Sequence, residues 1–147
     1  MSAAAASAAA EPRPFETANV SISGYAAAAL ALLRGGRLEG AADQVDANVF
    51  IGGYAAASDP NFIRRMGITR VVKMFGDDKP YPGGYRRLRG VAYAVFPALD
   101  APDYDIRGDA VNALRFIKEG LDADARVRVL VHCRSGVSRS STVVLLY

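Results

Sequence analysis

From about residue 47 onward, runs of apolar residues alternate with segments of helical period. "VFIGG" (49–53) is a short apolar run ending in two glycines and predicts a strand. "SDPNFIRRMG" predicts a helix, with Asp59 as N-cap, Pro60 in the first turn and Gly67 as the stop. "ITRVVKMF" (68–75) is β-branched and predicts a buried strand, "DDKPYPGGYRRLRG" a loop, and "VAYAVF" (91–96) another strand. "GDAVNALRFIKEG" predicts a helix that turns Ala110, Leu114, Ile117 and Leu121 to one face. "RVRVLVH" then predicts a strand, and "SRSSTVVLLY" the start of a helix. Strands and helices alternating in this way argue for an α/β domain with a central, mostly parallel sheet flanked by helices.

Upstream the pattern is different. "MSAAAASAAAEPRP" is low-complexity, and residues 1–24 are expected to form an alanine-rich, disordered tail. "YAAAALALLRGG" predicts a short helix closed by Gly35 and Gly36, so 25–46 reads as short helix and linker, and 47–147 as the domain proper. No apolar run approaches the ~18 residues that span a bilayer. The first basic residue is Arg13, where a secretory signal would place charge before its apolar run. Glu11, Glu16 and the scarcity of arginine argue against an organelle transit peptide, which the Ala/Ser bias alone would suggest.

Composition narrows the chemistry. Hydrophobic residues make up 51% of the chain, enough for a packed core. A single cysteine excludes an intrachain disulfide, and one cysteine with one histidine is too few for a structural zinc site. A reducing setting, the cytoplasm, is the expectation, with the nucleus or an organelle as alternatives. The net charge is +3, divided unevenly: residues 1–46 carry three basic and five acidic side chains, and the rest fifteen and ten. That bias favours anionic substrates only weakly. No interleaved basic and aromatic stripe suggests nucleic acid.

The only histidine and the only cysteine stand side by side in "RVRVLVHCRSGVSRSSTVVLLY". Cys133, Arg134, Ser135, Gly136, Val137, Ser138 and Arg139 form the loop between the last strand and the last helix. At the carboxyl end of a strand, a helix N-terminus offers free N–H groups and a dipole suited to an anion. Gly136 lets the backbone curl into a nest of donors, and Arg139 can grip two oxygens of a phosphate. Cys133 beneath such a ring would be a thiolate, a nucleophile aimed at phosphorus. Ser140 would donate to the leaving sulfur, and His132 would buttress the loop through its backbone. The strand and helix on either side set this string apart from an isolated Cys-x5-Arg. No Gly-x4-Gly-Lys-Ser/Thr occurs, and "GVSRS" lacks the closing glycine of a hydrolase elbow.

"VHCRSGVSRS" resembles the signature of the cysteine-based protein tyrosine phosphatases, and its Ser-Arg-Ser ending is similar to their dual-specificity branch. The resemblance runs over about residues 47–147, through "FIGGYAAASDPNFIRRMGITRVV" and "VFPALDAPDYDI". It implies a protein tyrosine phosphatase-like fold and a phosphocysteine intermediate on Cys133. It also implies transition-state clamping by Arg139, assistance by Ser140, a phosphorylated protein as partner, and neither cofactor nor metal. A general acid on a separate loop is implied as well; the pattern places it at Asp100, with Asp103 and Asp105 as local competitors. The variable loop positions lower, without removing, alternatives of a phosphoinositide, other phospholipid or phosphoglucan substrate, or an inactive phosphate-binding fragment. The family's domain continues through further helices, so a fragment with its C-terminal helices missing is expected.

Overall fold

The computed structural model describes residues 42–76 and 87–147. In chain order these form β1 (Ala42–Asp46), β2 (Val49–Gly52), α1 (Tyr54–Ser58), α2 (Pro60–Arg65), β3 (Arg70–Lys73), β4 (Ala92–Val95), α3 (Arg107–Ala123), β5 (Val129–His132) and α4 (Arg139–Leu146). The five strands make one sheet in the order β1-β2-β5-β3-β4. β1 is antiparallel to β2, and every other pairing is parallel.

β5 lies in the middle, and all four of its residues are buried. A parallel strand covered on both faces reads as an unbroken apolar run, which is what "VLV" supplies. Its side chains alternate between two cores. Val129 and Val131 join Val49, Val72 and Met74 under Ala110, Ala113 and Ile117 of α3 and Val143 of α4. Leu130 joins Phe50 and Val71 on the opposite face, beneath Ala56 and Ala57 of α1 and Phe62 and Ile63 of α2. In register, His132 sits between Gly52 and Lys73, so three strands end together at the carboxyl edge of the sheet.

α2 starts as its caps predict: the Asp59 carboxylate accepts from the Asn61 N–H at 2.8 Å, and Pro60 occupies the first turn. Gly67, at φ +64°, closes the segment in the left-handed region.

One expectation changes. The sheet begins at Ala42, inside the segment 25–46 read as helix and linker. "ADQVD" alternates too weakly to announce a strand, and as an edge strand it needs only one partner. The short-helix expectation at 25–36 lies outside the described residues, as does most of the 77–90 loop. On α3 the expected face holds: Ala110 and Ile117 are buried together with Ala113 and Gly120, and Leu114 and Leu121 are half-buried against the same core. Arg70 packs on this helix too, its guanidinium donating to the Phe116 carbonyl at 2.6 Å and lying 4.5 Å over the Phe116 ring. That side chain fills the space beside Gly120. Among the described residues no helix is long and apolar enough to cross a membrane.

Candidate active site

The loop 133–138 leaves β5 at His132 and enters α4 at Arg139. Cys133 stands at its base, 1% exposed, with Sγ 3.2 Å from the Ser140 hydroxyl. Burial alone pushes the thiol pKa up. The Ser140 hydroxyl and the backbone N–H groups of Ser140, Gly136 and Val137 oppose it and win, holding the thiol below its ordinary value. Donors from three residues thus converge on one sulfur at a helix N-terminus.

This curl requires Gly136. Its φ is +73°, and a Cβ there would stand 2.7 Å from the Gly52 carbonyl carbon and 2.8 Å from the Gly53 nitrogen. The loop rests directly on the turn between β2 and α1. The Tyr54 N–H donates to the Arg134 carbonyl at 3.0 Å, locking loop to turn. On the other side, the Ser141 hydroxyl donates to the Val137 carbonyl, and that of Thr142 to the Ser138 carbonyl at 3.2 Å. Arg134, Ser135, Val137 and Ser138 are left exposed at the rim.

Arg139 is buried, with 8% exposure. Nη1 donates to the Ala98 carbonyl at 3.1 Å and Nη2 to the Asp100 carboxylate at 3.3 Å. Its Nε is buried without a hydrogen-bond partner among the described residues. The structure therefore brings Asp100, 65% exposed on the segment after β4, against the cradle's arginine. The two competing aspartates stand elsewhere. Asp103 is exposed. Asp105 accepts from the backbone N–H of Arg107 at 3.1 Å and from its Nε and Nη2 at 2.8 Å. Those Arg107 hydrogen bonds hold its carboxyl down to about 2.

His132 is fully buried, with Nδ1 3.3 Å from the Cys133 carbonyl. Burial first, and the nearby Lys73 cation second, push its pKa down to about 3 against the pull of that carbonyl. The ring is neutral, so it contributes a hydrogen bond to the backbone rather than a charge.

Several residues at this site went unread in the sequence. Gly52 and Gly53 form the shelf beneath Gly136, and a Gly-Gly pair closing a strand is a legible sign of close backbone approach. Phe75 lies beneath His132, its ring edge-on at 5.6 Å, with Lys73 Nζ 4.6 Å from the ring centroid. Nothing in "VVKMF" separates these two from ordinary strand residues. Among the described residues no three His, Cys, Asp or Glu side chains gather as a set of metal ligands.

No family model matches the chain. Individual proteins do. It is 36% identical over 107 residues to dual specificity protein phosphatase 13B of Mus musculus, covering 71% of this chain and 54% of that protein. It is also 36% identical over 100 residues to MAP kinase phosphatase with leucine-rich repeats protein 3 of Dictyostelium discoideum, covering 67% of this chain and 11% of that one. Over these residues the chain is similar to the dual-specificity phosphatases. It shares its fold with the crystal structure of DUSP15, at a TM-score of 0.62 and 25% identity, covering 72% of this chain and 63% of that one. It spans about half, or less, of the length of these curated relatives.

Proposed function

We propose that this chain hydrolyses phosphate monoesters on the Ser, Thr or Tyr side chains of proteins through a phosphocysteine on Cys133. The observation that carries the reading is the convergence of the Ser140 hydroxyl and the N–H groups of Gly136, Val137 and Ser140 on a buried sulfur. Such an arrangement stabilises an anion where a thiolate must attack and where phosphoryl oxygens must sit. The relatives' names, protein phosphatases, support a phosphoprotein substrate over a lipid or a glucan.

In the first step the Cys133 thiolate attacks phosphorus, forming the S–P bond as the P–O bond to the substrate breaks. The leaving oxygen takes a proton from the Asp100 carboxyl. The loop N–H groups of residues 134–139 and the Arg139 guanidinium hold the three equatorial oxygens. In the second step the Asp100 carboxylate takes a proton from water, whose oxygen attacks phosphorus while the P–S bond breaks. The Ser140 hydroxyl donates to the departing sulfur. His132 holds the loop by its bond to the Cys133 carbonyl. A thiolate of this kind suits a reducing compartment such as the cytoplasm.

The test is hydrolysis of an aryl phosphate at mildly acidic pH with a chelator present, comparing the chain with its Cys133→Ser form. Turnover that survives the chelator and vanishes in the variant is the expected result. No turnover in either protein would overturn the reading.

A further inference from the structure

Arg139 must present a plane of donors to a phosphoryl group, and its two hydrogen bonds hold that plane along a single edge. Nη1 and Nη2 both reach the segment after β4, at the Ala98 carbonyl and the Asp100 carboxylate. The second of these is provisional, because Asp100 is 65% exposed and has to turn to the leaving oxygen to act as an acid. A guanidinium then held only through the Ala98 carbonyl is free to pivot, and Nε has no hydrogen-bond partner among the described residues to prevent it.

A third contact does not depend on Asp100. The guanidinium carbon of Arg139 lies 5.8 Å from the centroid of the Phe75 ring. An aromatic face attracts a planar cation and constrains its tilt. Phe75 cannot easily follow a movement of the arginine. It is 7% exposed and packs in the same core cluster as Cys133. The His132 ring meets it edge-on at 89°, and the Tyr54 ring lies 6.4 Å away at 53°. The preceding residue, Met74, donates its N–H to the His132 carbonyl at 2.9 Å, tying the end of β3 to the start of the loop.

We propose that Phe75 is a positioning residue for Arg139, its buried ring fixing the guanidinium plane when Asp100 lets go; the role rests on the phosphatase reading above. Four variants test it: Phe75→Leu, Phe75→Tyr, Arg139→Ala and the Phe75→Leu/Arg139→Ala double variant. Each is assayed for kcat/KM on an aryl phosphate and for affinity to inorganic phosphate. Phe75→Leu, which keeps bulk and removes the ring face, loses about fivefold to tenfold in kcat/KM. Phe75→Tyr restores it. In the Arg139→Ala background the same Leu substitution changes either quantity by less than about twofold, because nothing is left to position. A full, additive loss in the double variant would overturn the proposal, since it would show that Phe75 merely supports the loop. If Phe75→Leu fails to fold, Phe75→Met takes its place. Absence of Cys133-dependent turnover in the unmutated chain would sink the phosphatase reading instead. Phosphate affinity in the same proteins would still show whether Phe75 and Arg139 are coupled.

Discussion

Replacing Ser140 with alanine removes one hydroxyl, 3.2 Å from the Cys133 sulfur, and leaves the three backbone donors in place. A hydrogen bond to a charged group contributes about 1.5–3 kcal/mol. We take about 1.5 kcal/mol, because the N–H groups of Gly136, Val137 and Ser140 share the same thiolate. At about 1.4 kcal/mol per tenfold, the thiolate fraction falls about tenfold at any pH below the thiol's pKa. The sign follows from the cause: the lost donor favoured the anion, so the titration moves to higher pH. Alkylation by iodoacetamide measures this cleanly, because Cys133 is the only cysteine in the chain. The sulfur's low exposure slows both proteins alike, and the ratio of their rates across pH is what is read. The curve for Ser140→Ala is expected to lie at higher pH, with a rate about tenfold lower on the acid side of both curves. Curves that coincide within about twofold would refute the reasoning, and would assign the thiolate to the backbone nest alone.

Gly136→Ala forces a side chain into φ +73° and to within 2.7 Å of the Gly52 carbonyl carbon; about 1–2 kcal/mol of conformational cost follows, read as a lower melting temperature. Displacing the loop by even an ångström is expected to cost about a hundredfold in kcat/KM. Asp100→Asn is expected to lower kcat by about 10²–10⁴ on alkyl phosphates and much less on p-nitrophenyl phosphate, whose leaving group needs no proton; equal losses on both would remove Asp100 from the acid role. His132, buried and neutral with its pKa depressed from 6.5 to about 3, contributes stability that is present above about 6.5 and lost as pH falls through about 3. His132→Asn is expected to flatten that acid limb in urea midpoints measured across the window, and an unchanged limb would contradict it.

The parts of this molecule that could be read in advance are those where one residue type has one use. The apolar run of β5, the Asp59-Pro60 helix start and the glycine in the loop each announce themselves locally. The loop residues 133–139 are contiguous, so their meeting needed no tertiary information. Asp100 lies on another loop, and only the family resemblance set it ahead of Asp103 and Asp105; the packing of the segment after β4 brings its carboxylate, and not theirs, to Arg139. Phe75 and Lys73 were hidden for the opposite reason. Lys73 ends β3 and Phe75 lies two residues beyond it, in an apolar run whose buried pattern is satisfied without any reference to the site, and register alone brings Lys73 beside His132. The face of α3 was legible from its period: Ala110 and Ile117 are buried, and Leu114 and Leu121 pack against the same core from its edge.

The contact between Gly136 and the Gly52-Gly53 turn has a consequence for redesign. A methyl group on Gly136 would stand 2.7–2.9 Å from the Gly52-Gly53 backbone, whereas one on Gly53 would only touch the Arg134 and Ser135 backbone at 3.4–3.5 Å. The floor of the cradle is therefore closed to variation from the loop side, where the atoms in the way are backbone and cannot turn aside. A library meant to alter what the site accepts should leave Gly136 alone. Diversity belongs at 134, 135, 137 and 138, whose side chains face solvent while their backbone holds the shape.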